Sequence, residues 1–247
     1  MELIGHRGCA RWVAENSLAG VHFSADTGLA AIECDVTVAA DGVPVVFHDR
    51  SLNRMTGVSG DVTALSSDAL ATWPLRFQGA LTDQRIPTAF DYFSAVAQRS
   101  LFLHLEIKDH EQNLERLVPP ILDALSASTL SAEQVRVSSF SWRILEAVHA
   151  LAPELSLGWA STVWSDNFRA RLEQLPIDSV HLDHEAFTAG QAEELGALEK
   201  PVYVYTVNDP KEAMHLRSLQ VAGVFTDDPV SLRGALRADT QPCKRIE

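Results

Sequence analysis

The stretch Ile32-Glu33-Cys34-Asp35-Val36-Thr37-Val38-Ala39-Ala40-Asp41-Gly42-Val43-Pro44-Val45-Val46-Phe47-His48 decides the fold. Successive side chains of a strand point to opposite faces. Ile32, Cys34, Val36 and Val38 therefore share one face, and Glu33, Asp35 and Thr37 share the other. Asp41-Gly42, between two apolar runs, reads as a tight hairpin turn. A turn centred there sets Asp35 opposite His48, so 37–48 is an antiparallel excursion, with a strand at 43–48, that folds back on the C-terminal end of the strand it left. Residues 101–108 repeat the alternation, with Leu101, Leu103, Leu105 and Ile107 on one side and Phe102, His104, Glu106 and Lys108 on the other.

Outward from these two segments, further strands are expected at 3–6, 135–138, 155–159, 179–182, 202–206 and 223–226. Helical periodicity falls at about 17–28, 88–98, 112–126, 141–151, 166–174, 188–198, 210–219 and 229–236. Strands alternating with helices imply βαβ units and a parallel sheet. With the excursion set aside, eight strands remain, which is the α/β class of a (βα)8 TIM-type barrel. Residues 49–88, turn-rich from Thr56 to Asp61, read as a loop or small cap over the same end. The whole of 1–247 reads as one domain, a length that suits a single barrel of about 250 residues.

A chain that is 46% hydrophobic and 21% charged is of the soluble globular type. Its net charge of −13 lacks the basic footprint of a nucleic-acid binder and the polybasic patch that docks on anionic membranes. Cys9, Cys34 and Cys243 form neither a disulfide framework nor a zinc spacing. The simplest compartment is a reducing cytoplasm. The N-terminal residues do not read as a signal peptide and no apolar run reaches membrane-spanning length, so neither a leader nor stable membrane insertion is expected. Assembly into a homo-oligomer stays open.

Barrel strands pack their apolar faces on the outer helices, which turns Glu33, Asp35 and Glu106 inward. Unpaired buried charge is costly, so three inward carboxylates at strand C-termini call for a cation. Barrel active sites sit at that end. Glu33 and Asp35 lie on the same side of one strand, about 6.6 Å apart, and both reach a single ion. All-oxygen ligation favours one divalent cation, Mg²⁺ or Ca²⁺, over zinc. His6 and His48 approach from two directions and suit acid–base work on a phosphoryl group. Arg7 offers a planar fork for phosphate oxygens or a surface ion pair. Lys108 faces Glu106 as partner, phosphate contact, or both. Asn16 is a plausible N-cap, and Glu15 is placed to orient His6, to line the site, or to favour the helix start. Phe140, Trp159 and Tyr205 fall at or beyond strand ends, either against an apolar part of a substrate or in the core.

In their order and spacing, His6-Arg7-Gly8, Glu15-Asn16-Ser17, Ile32 to Val36, Asp41 to Asp49, Leu52 to Gly57, Ile86-Pro87-Thr88, Leu105 to Lys108, Ser139-Phe140, Tyr205 to Asn208 and Thr226 to Pro229 together resemble the glycerophosphodiester phosphodiesterase family. The resemblance implies a (βα)8 enzyme that hydrolyses deacylated phospholipids, small-molecule glycerophosphodiesters, to sn-glycerol 3-phosphate and an alcohol. By position it implies His6 and His48 as the acid–base pair. It implies Glu33, Asp35 and Glu106 as divalent-metal ligands, and Arg7 and Lys108 as phosphate contacts. Ala14, Ser17 and Tyr205 stand where the family often has Pro, Thr and Trp, which bears on pocket shape. The rival readings are a phospholipase D-like member acting on intact or lyso lipids and a non-catalytic phosphodiester-binding barrel.

Overall fold

The computed structural model describes residues 1–162 and 168–238. Cys243, and residues 166–167 of the helix expected at 166–174, lie outside the described residues. The strands are β1 (Glu2–Gly5), β2 (Ala31–Val38), β3 (Pro44–Val46), β4 (Pro74–Phe77), β5 (Ala80–Arg85), β6 (Phe102–Ile107), β7 (Val135–Ser139), β8 (Ser156–Ser161), β9 (Ile177–Asp183), β10 (Val202–Tyr205) and β11 (Gly223–Thr226). Eight of them run parallel in the order β1-β11-β10-β9-β8-β7-β6-β2, and β2 pairs again with β1. The result is a closed TIM-type barrel with β3 antiparallel on β2.

Helices α1 (Leu18–Asp26), α2 (Asn53–Thr56), α3 (Ser67–Leu70), α4 (Ala89–Gln98), α5 (Leu114–Ala127), α6 (Trp142–Leu151), α7 (Phe168–Leu172), α8 (Ala189–Ala197), α9 (Pro210–Ser218) and α10 (Pro229–Ala238) complete the chain. Side-chain oxygens of Ser17, Thr88, Asn113, Thr188 and Asp209 accept the first free backbone N–H groups of α1, α4, α5, α8 and α9, which fixes where those helices start. The cap of α1 is Ser17, not Asn16, because Asn16 turns its amide to Asp35 instead.

The alternation in β2 and β6 sorts the two layers. Ile32, Cys34, Val36, Leu103, Leu105 and Ile107 are buried among Tyr92 and Phe93 of α4 and Leu117, Val118 and Ile121 of α5. The inward residues meet inside the barrel. There His104, fully buried, is ringed by Phe102, Tyr203, Phe225 and His181 at centroid distances of 5.1, 5.2, 5.2 and 5.8 Å. This aromatic plug fills the middle of the barrel.

The hairpin after β2 differs from the expected register by one residue. Val36 pairs with Val46, and the Phe47 N–H donates to the Asp35 carbonyl at 2.9 Å, so Asp35 faces Phe47 rather than His48. The Ala39 N–H donates to the Val43 carbonyl and Gly42 has φ +85°, so the loop is the three residues Ala40-Asp41-Gly42 with glycine in the left-handed position. Within 49–88 the structure has a hairpin, β4–β5, where only a loop or cap is expected. Its turn residues Gln78 and Gly79 both have positive φ, the signature of a two-residue type I′ turn. Leu52, Met55, Val62, Leu70, Leu75 and Ile86 from this segment form a small core with Ala39, Val45 and Phe47 of the excursion. Among the described residues, no helix is long and apolar enough to cross a membrane.

Candidate active site

A cavity opens at the C-terminal ends of the strands, lined by His6, Arg7, Glu33, Asp35, His48, Glu106, Lys108, Phe140 and Tyr205, with His181 and Phe225 also in its wall. Asp35 and Glu106 are register partners on β2 and β6, which sets their carboxylates side by side. Glu33 starts two residues lower on β2, and its longer side chain carries its carboxylate towards theirs. One oxygen from each of the three lies within 4.8 Å of the others.

Glu33 and Asp35 are buried, Glu106 is partly exposed, and the cluster is only partly neutralised. Lys108 Nζ donates to Glu106 Oε1 at 2.6 Å and lies 3.6 Å from Asp35 Oδ1. Arg7 Nε lies 3.4 Å from Asp35 Oδ2, and the Arg7 backbone N–H donates to Glu33 Oε2 at 2.8 Å. The Asn16 amide donates to Asp35 Oδ2 at 2.9 Å. Burial pushes the Glu33 carboxyl well up, and the charges of Asp35 and Glu106 push the same way. Burial and the Asp35 charge raise Glu106 too, against the pull of Lys108. Burial would raise Asp35 as well, but Arg7, Lys108, His48 and the Asn16 amide hold it far below the usual carboxylate range. Three acidic groups with two cations among them leave negative charge without a partner. Hard carboxylate oxygens so disposed fit a divalent cation such as those carboxylates commonly bind.

Each histidine has its own carboxylate. Asp227, just past β11, places Oδ1 2.7 Å from His6 Nδ1. Asn208 fixes Asp227 in turn: its Nδ2 donates to Asp227 Oδ2, and its Oδ1 accepts the Asp227 N–H, both at 2.9 Å. Asp49 Oδ1 lies 2.7 Å from His48 Nδ1. The Arg54 guanidinium and His48 outweigh burial and hold Asp49 down at about 2, so it is an acceptor and His48 Nδ1 carries the hydrogen. Burial and the nearby charges of Arg7 and Lys108 lower the His48 pKa, which favours the neutral ring with a bare Nε2.

Arg7 sits in a left-handed stretch, with φ +48° at Arg7, +80° at Gly8 and +70° at Cys9. Gly8 permits it, because a Cβ there would lie 2.8 Å from the Gly20 backbone. Arg7 Nη1 donates to Glu15 Oε1 at 3.2 Å.

Most of the expected residues meet at this one cavity, and two do not. Trp159 faces the helix layer, stacked on Phe168 at 4.2 Å and edge-on to Trp142 at 5.1 Å. The period-2 alternation turns its neighbour Ala160 to the cavity instead. Glu15 lies behind the site and holds Arg7 and Arg54; the carboxylate that orients His6 is Asp227. Phe140 stands at the rim, edge-on to Tyr205 at 5.8 Å, with Lys108 Nζ 5.6 Å from its ring centre. The Tyr205 hydroxyl donates to the Ser161 carbonyl at 3.0 Å. Asp227, Asn208 and Arg54 carry no role in the sequence reading. Asp227 was within reach of one signal, since the residue after β11 neighbours the residue after β1 once the barrel closes.

An eight-stranded barrel with paired acids and imidazoles at its C-terminal mouth has the form of a barrel enzyme. Comparison with known proteins makes this specific. The family model described as the glycerophosphoryl diester phosphodiesterase family matches residues 6–231. A glycerophosphodiester phosphodiesterase of Caldanaerobacter subterraneus subsp. tengcongensis is 24% identical over 240 residues, covering 95% of this chain and 97% of that protein. One of Bacillus altitudinis is 26% identical over 236 residues, covering 92% and 95%. The solved structure of an Oleispira antarctica phosphodiesterase, in complex with the product sn-glycerol-3-phosphate, superposes with a TM-score of 0.90 at 27% identity. That alignment covers 96% of this chain and 97% of the other. The chain belongs to the glycerophosphoryl diester phosphodiesterase family.

Proposed function

We propose that the protein hydrolyses glycerophosphodiesters to sn-glycerol 3-phosphate and a free alcohol, with His6 and His48 as the proton-transfer pair. Glu33, Asp35 and Glu106 would hold one divalent cation, Mg²⁺ or Ca²⁺ by the hardness of their oxygens. When bound, such an ion supplies charge neutralisation at a phosphate oxygen and lowers the pKa of a nearby hydroxyl. Arg7 and Lys108 add positive charge where the phosphate would lie. One imidazole takes the proton of the nucleophile, either water or the substrate's own glycerol hydroxyl, and the other returns a proton to the leaving alkoxide. Phe140 and Tyr205 give the mouth an apolar wall beside that charged floor.

The observation that carries this reading is the convergence of three carboxylates and two imidazoles, each imidazole backed by its own aspartate, on one cavity. The product named for the Oleispira relative is the product proposed here. The same reading treats the whole chain as one phosphodiesterase domain in the cytoplasm, with 49–88 as its cap and a small molecule as its substrate.

The test is release of glycerol 3-phosphate from a panel of glycerophosphodiesters, read in a coupled assay at several divalent ions. His6→Ala and His48→Ala should each lower turnover by about 10² or more while the fold persists. Near-normal turnover in either variant removes that histidine from the chemistry.

A further inference from the structure

Arg54 belongs to α2, and its side chain is 47% exposed. Even so, its guanidinium is fully engaged. Nε donates to Asp49 Oδ2 at 2.6 Å and Nη2 to Asp49 Oδ1 at 3.0 Å. Nη1 donates to Glu15 Oε2 at 2.7 Å and Nη2 to Glu15 Oε1 at 2.6 Å. Nη1 also lies 3.2 Å from Met55 Sδ. Five N–H donors thus meet five acceptors, with two carboxylates gripped fork to fork.

Each of those carboxylates holds a group of the cavity. Asp49 holds His48 through Nδ1, and Glu15 holds Arg7 through Nη1. His48 follows β3 and Arg7 follows β1, so the two arise from separate loops. Among the described residues, Arg54 is the one bonded to both of their supports.

We propose that Arg54 is a positioning residue, a two-sided clamp that fixes the His48 ring through Asp49 and the Arg7 fork through Glu15. The proposal rests on the roles given above to His48 and Arg7. Its physical content is geometric. With Asp49 pinned by two bonds from Arg54, its Oδ1 stays on His48 Nδ1, and the Nε2 lone pair stays aimed at the cavity. With Glu15 pinned likewise, the Arg7 guanidinium keeps one plane. A lysine cannot do this, because a single ammonium cannot present parallel N–H pairs to two carboxylates at once.

The experiment uses the full chain with Arg54→Ala and Arg54→Lys. In both, hydrolysis of a glycerophosphodiester should fall about 10- to 100-fold, mainly in kcat. Free guanidinium ion should restore part of the Arg54→Ala rate, and methylammonium should not. The double variant Arg54→Ala/Asp49→Asn should be little worse than Asp49→Asn alone, because the two residues act as a unit. A second readout needs no turnover: ¹⁵N spectra of the imidazoles should show His48 as the Nδ1–H form in the parent and as a tautomer mixture in Arg54→Ala. An Arg54→Ala protein with an unchanged His48 spectrum overturns the clamp, whether or not its rate falls. A parent enzyme inactive on every glycerophosphodiester overturns the substrate assignment instead, and the imidazole spectra still decide the clamp.

Discussion

Restoring a divalent cation to the stripped protein should raise its melting temperature, by an amount that can be worked out. Glu33, Asp35 and Glu106 gather within 4.8 Å, with Arg7 and Lys108 to offset two of the three charges. A cation that binds only the folded chain stabilises it by about 2.7 kcal/mol at one hundred times its dissociation constant. For a chain of this size each kcal/mol moves the melting temperature about 2–4 °C, so the expected rise is about 5–10 °C. The effect also has a sign with pH. Glu33 and Glu106 have pKa values raised above the ordinary 4.5. Without the ion the folded state therefore binds more protons than the unfolded one, and stability falls as pH climbs from 4.5 through the raised values. Asp35, held low, works the other way and contributes stability above its ordinary 3.8. Ion binding displaces the extra protons, so the rise in melting temperature should grow with pH. The assay is thermal unfolding after exhaustive EDTA dialysis, titrated with Mg²⁺ and separately with Ca²⁺. In Glu33→Gln the amide oxygen still accepts the Arg7 N–H, one repelling charge is gone, and the ion-dependent rise should shrink sharply. An unshifted parent protein at millimolar ion, or a Glu33→Gln variant with the full parental rise, refutes the reasoning.

Asp227→Asn should lower kcat by about 10² or more with little change in melting temperature, because the amide no longer forces the His6 tautomer; steady-state kinetics beside thermal unfolding check this. Trp159→Ala should cost about 3–5 kcal/mol in denaturant unfolding, since it empties a buried aromatic stack. Phe140→Ala, at the exposed rim, should change stability by no more than about 0.5 kcal/mol and show its effect in KM. Gly8→Ala should lower the melting temperature and activity together, because the new Cβ meets the Gly20 backbone at 2.8 Å in a left-handed conformation.

The barrel and its acidic cluster were legible because alternation in 32–38 and 101–108 fixes which side chains face inward, and a sheet closed by helices leaves no other choice of face. Glu33, Asp35, Glu106 and Lys108 follow from strand position and His6 and Arg7 from the end of β1, whereas His48 lines the cavity although the register that points to it is off by one residue. What escaped depends on contacts between segments remote in sequence. The His6–Asp227 pair spans 221 positions and exists only because β1 and β11 close the barrel in one register. The Arg54 clamp comes from a four-residue helix, too short to leave a periodic trace. The sequence leaves Trp159 between pocket and core for a local reason: it stands one residue from the cavity-facing Ala160, and the core alternative is the one the structure takes. The hairpin slipped by one residue because Asp41-Gly42 serves a three-residue loop as well as a two-residue one, and only the Ala39–Val43 pairing tells them apart. Gln78-Gly79 was a turn signal passed over inside a segment without strong alternation.

The stack of His104, Tyr203, Phe225 and His181 makes the barrel a blind well rather than a tunnel. Whatever enters past Phe140 has to back out by the same doorway, and both fragments of a cleaved diester must queue there. If the phosphate lies against Arg7 and Lys108 as proposed, the phosphorylated fragment would leave last and would compete head-on with the next diester. Traffic through that mouth would then tie turnover to how fast the well empties.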